Sequence, residues 1–258
     1  MASPAKGEAR DIGSALSAVE KYALIASEKG ASAVCFPEAF LTGYVPAQAE
    51  RLSLERTSGE LAGLGEISSS HRIDILCGFM ERSDAGQCVT QGIFRPDGSR
   101  DFYVKSHLGE SERDVFAPGG SLGVFPLSCG LTAGFQICVE LHVPEMTQSL
   151  SRRGADIIFC PHSVPGSARK RKGLWEMLLC ARGYDARVYI ACCNDRTTRH
   201  EGGIAAADPE GKLVASGFGE DDTLMTFTVD RALLGRFRTG SKGMSDRYYP
   251  LMARGELY

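Results

Sequence analysis

The chain has 258 residues, 43% of them hydrophobic and 24% charged, with a formal net charge of −3. That size and mixture describe a globular chain of one or two domains with no need of disulfide staples. The weak negative charge excludes a general affinity for nucleic acid or anionic membrane.

Residues 12 to 29 carry Ile12, Leu16, Val19, Ala23 and Ala26 at spacings of three and four, which predicts an amphipathic helix stopped by Gly30. "ASAVCF" follows as a short buried strand. A weaker helix over 57–71 then leads into a strand over 73–81, "IDILCGFME". "QCVTQGIFRPDGSRDFYVK" reads as a hairpin turning at "PDGS". "LGVFPL" and "LTAGFQIC" are two more apolar strands.

In the second half, helices are predicted over 143–153 and 172–187, each followed by a strand, "ADIIFC" and "VYIACCN". The basic run "RKRKG" at 169–173 reads as a solvated loop or helix start. "GGIAAADPEGKLVASG" is a hairpin signal and "DTLMTFTVD" a further strand. The aromatic tail over 237–258 is expected to pack irregularly over another surface. Alternating helices and strands interrupted by hairpins predict a layered α/β protein with mixed sheets, in one domain over 1–258.

No apolar run approaches the ~20 residues of a membrane span. The opening "MASPAKGEARDIG" is polar and lacks the apolar core of a secretory signal. A cytoplasmic location is expected, and nine cysteines without paired spacing fit it. The same lack of paired Cys and His spacing predicts no zinc site.

Three stretches put reactive side chains at strand ends. "CFPEAFLTGY" places Glu38 just past a buried strand. "FYVKSHLGESERDVFAPGG" places Lys105 at a strand end and Glu112 in the loop beyond. "GFQICVELHVPE" places Cys138 where a strand stops and a helix is about to begin. Strand ends in layered α/β folds gather at one edge, where ligands bind. A thiol, a carboxylate and an ammonium meeting there would supply a nucleophile, a general base and an electrostatic stabiliser. Singly, each of the three is more often structural.

The neighbouring residues add a resemblance. "FPEAFLTGY", "KSHL" with "ERDVFAPGG", and "GFQICVELHVPE" are similar, in order, to the three motif blocks of the carbon–nitrogen hydrolase (nitrilase) family. "RRGADIIFCPHSVP", "ARGYDARVYIACCN" and "GGIAAADPEGKLVAS" extend the likeness over about residues 12–230. The resemblance implies a four-layer αββα sandwich with two mixed β-sheets and a Glu–Lys–Cys triad. It implies hydrolysis of a small amide through a cysteine thioester, with ammonia or an amine released and no metal or organic cofactor. Carried over, Cys138 is the nucleophile, Glu38 the general base and Lys105 the stabiliser of the tetrahedral intermediate, with the Val139 N–H. The second glutamate matches Glu112, with Glu110 the lesser alternative.

Glu140 and Glu145 read as structural. Tyr44, His162 and Ser163 are candidate substrate contacts. A homodimer or larger homo-oligomer is expected by analogy. The alternatives are a nitrile or N-carbamoyl hydrolase, a catalytically silent scaffold member, or a thiol redox protein. Three departures stand out: no apolar strand precedes the first helix, Val139 replaces an aromatic residue, and "ARGYDA" differs from the family's usual pattern. The first implies that a sheet strand is missing from this chain.

Overall fold

The computed structural model describes residues 1–4, 11–197, 200–219, 221 and 223–238. Helix α1 (Ile12–Glu28) begins where Asp11 accepts a hydrogen bond from the Ser14 N–H at 2.8 Å and the Ser14 hydroxyl accepts one from the Asp11 N–H at 3.0 Å. Its stripe of Ala15, Val19, Tyr22 and Ala26 is buried. Strand β1 (Ala33–Cys35) follows, then the short α2 (Ala49–Leu52), α3 (Gly59–His71) and the hairpin strands β2 (Asp74–Ser83), β3 (Gly86–Phe94) and β4 (Arg100–Val104). Next come β5 (Val124–Pro126), β6 (Thr132–Phe135), α4 (Pro144–Arg152), β7 (Ile157–His162), α5 (Ala168–Ala186), β8 (Tyr189–Asn194), β9 (Ile204–Ala207), β10 (Leu213–Gly217) and α6 (Arg231–Arg238).

Two mixed sheets result, ordered β1-β2-β3-β4 and β10-β9-β8-β7-β6-β5. Strand β1 runs parallel to β2, and β6, β7 and β8 are mutually parallel; the remaining neighbours are antiparallel. Strand alternation separates the layers. From β2, Ile75, Cys77 and Phe79 pack with α1 and α3, while Leu76 and Met80 join the core shared with the second sheet. Leu150 of α4 and Trp175 and Leu179 of α5 cover that sheet from its other side. The layers are therefore helix, sheet, sheet, helix, the αββα arrangement.

An aromatic stack crosses between the sheets near the strand ends. Tyr103 of β4 lies 6.1 Å from Phe135 of β6, and Phe135 lies 6.0 Å from Phe159 of β7, both pairs nearly parallel.

The structure departs from the sequence reading in two places. "DTLMTFTVD" forms no ladder strand; its one pairing is an antiparallel bridge between Leu224 and Ala2. Strands require a neighbouring backbone, and Met1–Ser3 supplies only a short one, on the edge of β1 (Ala2 N–H to Cys35 O, 2.9 Å; Ser3 N–H to Thr223 O, 2.8 Å). Helix α5 starts four residues before the expected 172, so the basic run lies in its first turns. The Ala168 N–H donates to the Glu201 carboxylate at 2.7 Å, an anion suited to a helix N-terminus. Positions 239–258 of the expected tail lie outside the described residues. Among the described residues, no helix is long and apolar enough to cross a membrane.

Phe135 is fully buried and central to the stack. Phe135→Ala is expected to lower the unfolding free energy by about 3–5 kcal/mol, read by urea denaturation, and Phe135→Leu by less, because most of the volume remains.

Candidate active site

Five strands end at one edge of the sandwich. Glu38 follows β1, Lys105 follows β4, Cys138 follows β6, Ser163 follows β7 and Asp195 follows β8. The loop carrying Glu38 is tacked to β2 by Phe36 N–H to Leu76 O (2.8 Å) and Leu41 N–H to Gly78 O (2.9 Å). A Cβ on Gly78 would stand 2.5 Å from the Ala39 nitrogen, so only glycine lets the loop lie this close. Lys105 is held likewise. Its carbonyl accepts from the Gly119 N–H at 2.8 Å, and a Cβ on Gly119 would stand 2.3 Å from the Val104 oxygen.

The Lys105 ammonium is 1% exposed and donates to Glu38 Oε1 and to Glu112 Oε1, each at 2.7 Å. Glu38 Oε2 accepts the Ser163 N–H at 3.0 Å. Glu112 accepts the Tyr44 hydroxyl at 2.7 Å on Oε1 and the Gly109 N–H at 2.6 Å on Oε2. Glu110 is exposed. The Cys138 thiol lies close enough to Glu38, Lys105 and Glu112 to feel the charge of each. All four side chains named for the chemistry therefore meet in one pocket.

Burial and partners set the protonation of each group. Burial pushes the Glu38 carboxyl up, against the pull of Lys105. At Glu112 burial pushes the same way but is outweighed by Lys105 and by the Gly109 and Tyr44 hydrogen bonds, so this carboxyl is held below its ordinary range. At Lys105 burial opposes the charge, yet Glu38, Cys138 and Glu112 together hold the ammonium above the usual lysine value. Burial, and then the Glu38 charge, push the Cys138 thiol well up. The thiol is thus neutral at rest, and Glu112 is the carboxylate held ionised against Lys105.

Cys138 has φ +55°, the left-handed region that non-glycine residues rarely occupy, and Ala39, next to Glu38, has φ +48°. Val139 follows Cys138 in a single helical turn, Cys138–His142, whose first N–H groups have no partner within the turn. Those N–H groups can face a substrate oxygen.

The three candidate substrate contacts fall differently. The Tyr44 hydroxyl is committed to Glu112. Ser163 holds Glu38 through its N–H and reaches Asp195 through its hydroxyl at 3.3 Å. His162 donates from Nδ1 to the Cys160 carbonyl at 2.7 Å and packs on Trp175, with ring centroids 4.4 Å apart. Its Nε2 is buried without a partner, and burial pushes the ring down to about 3, so it stays neutral.

Asp195 also meets His200 Nδ1 at 2.5 Å, a pair the sequence reading did not single out; the only signal was an acid just past "VYIACCN". Glu145 lies in the first turn of α4, as expected, whereas Glu140 is buried between the two sheets. Among the described residues, no group of three or more His, Cys, Asp or Glu is placed to hold a metal ion.

A thiol, two carboxylates and an ammonium clustered at the shared edge of an αββα sandwich are the arrangement that the three motif blocks implied for a carbon–nitrogen hydrolase. The carbon-nitrogen hydrolase family model matches residues 3–239, and the chain belongs to that family. A hydrolase of the pqqF 5' region of Pseudomonas protegens is 29% identical over 261 residues, 96% of this chain and 86% of that protein. The omega-amidase NIT2 of Mus musculus is 26% identical over 236 residues, covering 83% and 82%. Among solved structures, an amidase from Nesterenkonia sp. AN1 shares the fold with a TM-score of 0.78 at 23% identity, covering 100% of this chain and 96% of its own.

Lys105→Met would leave Glu38 and Glu112 facing each other in a dry pocket with no cation. Both carboxyl pKa values then rise above their unfolded values, so the folded variant binds protons more tightly and loses stability as pH increases. Chemical denaturation should show a loss of about 3–5 kcal/mol at neutral pH, shrinking as the pH falls toward about 4.

Proposed function

We propose that this protein hydrolyses the C–N bond of a small amide, with Cys138 as nucleophile and Glu38 as general base. The observation that carries this reading is the buried ammonium of Lys105, held 2.7 Å from each of two carboxylates, with the Cys138 thiol within reach of their charge. Amidase names among the relatives support the same bond type.

Glu38 takes the thiol proton as sulfur attacks the amide carbonyl. An ammonium has three N–H donors; two point at carboxylates, and the third is available for the oxyanion together with the Val139 N–H. Each such donor contributes on the order of 3 kcal/mol in comparable sites. Collapse of the intermediate breaks the C–N bond, and Glu38 returns its proton to the departing ammonia or amine. Water then loses a proton to Glu38 and attacks the thioester. The acid leaves, and that proton restores the thiol. Glu112 holds Lys105 from the other side and stays ionised throughout.

Purified protein should release ammonia from short aliphatic amides. Hydroxylamine should divert the acyl-enzyme to a hydroxamate, and Cys138→Ser should lower kcat by about a thousand-fold or more. Because Glu38 must be ionised and burial raises it, kcat/KM should climb with pH through a midpoint above the ordinary 4.5. A protein that turns over nitriles or N-carbamoyl compounds but no simple amide would overturn the substrate class. Full activity in Cys138→Ser would overturn the mechanism.

We further propose a homodimer or larger homo-oligomer in the cytoplasm. All nine cysteines are free thiols, which suits a reducing compartment. Helix α5 leaves Leu174, Met177 and Tyr184 exposed on one face, an apolar stripe of the kind that pairs with another copy. Sedimentation should give a mass of at least twice the 27.8 kDa chain, and Leu174→Glu with Met177→Glu should return it to one chain. A wild-type monomer would end the idea.

A further inference from the structure

Glu140 is 0% exposed, and its two oxygens collect five donors. Oε1 accepts the Tyr103 hydroxyl (2.8 Å), the Ser106 N–H (2.8 Å), the Ser106 hydroxyl (2.8 Å) and the His107 N–H (2.9 Å). Oε2 accepts the Ile137 N–H at 2.7 Å. Those donors come from two places that matter. Tyr103, Ser106 and His107 bracket Lys105 at the end of the first sheet's last strand. Ile137 and Glu140 itself bracket Cys138 past the second sheet's β6.

The same turn is fixed from behind. Gln136 Nε2 donates to the Glu140 carbonyl at 2.8 Å, and the Thr147 hydroxyl of α4 donates to Gln136 Oε1 at 2.8 Å. Among the described residues the one basic side chain within 4.0 Å of the Glu140 carboxylate is His107, 49% exposed, with Nδ1 3.6 Å away. Burying a carboxylate without a close cation is a poor way to gain stability. What the arrangement does supply is a fixed register between two backbone segments.

The geometry points to Glu140 as the positioning residue that sets how the Lys105 ammonium and the Cys138 thiol face each other, by tying both flanking segments to one carboxylate. It rests on the amidase reading for its purpose, but not for its test. Without the Ile137 bond, the left-handed turn at Cys138 loses the restraint that closes it. Without the Tyr103–His107 bonds, the Lys105 segment can drift along the cleft. A displacement of about 1 Å between reacting groups costs on the order of 100-fold in rate.

Glu140→Gln keeps the shape but sets an amide N–H₂ against a backbone donor. It should lower kcat by about 100-fold with little change in KM. It should also move the pH dependence of Cys138 alkylation by iodoacetamide upward, because Lys105, which draws the thiol down, no longer faces it squarely. The double variant Tyr103→Phe with Ser106→Ala keeps every backbone donor and should shift both readouts the same way by less; it decides the matter if Glu140→Gln does not fold. Leu61→Ala, buried between α1 and α3, serves as a destabilised control and should leave the alkylation profile of the folded protein in place.

Foldable variants that melt lower but keep the wild-type kcat and alkylation profile would reduce Glu140 to a structural residue and overturn the proposal. Alkylation needs no substrate. If wild-type protein hydrolyses no amide while Glu140→Gln still shifts the alkylation profile, the amidase reading fails and the clamp stands.

Discussion

Everything at the catalytic edge follows from keeping one ammonium charged where water does not reach. An ion of that size in a dry interior costs several kcal/mol even after relaxation. Lys105 meets this with two carboxylates at 2.7 Å rather than one. Burial first, and then the charge of Glu38, keeps the neighbouring thiol protonated.

The two carboxylates divide the work because their other partners differ. Glu112 is surrounded by donors that do not titrate near neutrality: Lys105, the Gly109 N–H and the Tyr44 hydroxyl. Glu38 receives the Ser163 N–H and Lys105, and its charge also reaches the thiol. One acid is anchored as a permanent anion, and the other is left with a proton to exchange. Pairs of acids whose surroundings push them apart in this way mark acid–base sites generally.

Much of this could be read from the chain. Strand-end placement picked out Glu38, Lys105 and Cys138, because each follows an apolar run that has to end at the sheet edge, and the family resemblance added Glu112 from the loop beyond Lys105. The chain marks Glu140 only as structural, and what it ties together stays hidden for a physical reason. Three of its five donors are backbone N–H groups, from Ser106, His107 and Ile137, and any residue type supplies those. The "DTLMTFTVD" segment shows the complementary case. Its alternation correctly marks Met225, Phe227 and Val229 as packing on the core while Thr226, Thr228 and Asp230 are exposed. Period-two burial needs one apolar surface, whereas a ladder needs a second backbone, and among the described residues only Met1–Ser3 pairs with it.

Gly78 and Gly119 back the loops that carry the base and the ammonium, and neither has space for a single methyl group behind it. The placing of Glu38 and Lys105 thus depends on close backbone packing at two points behind them. The rim that meets substrate can change its chemistry by swapping side chains, while these two rear positions admit no alternative at all. Drift toward new substrates in this scaffold would have to come from the front of the cleft.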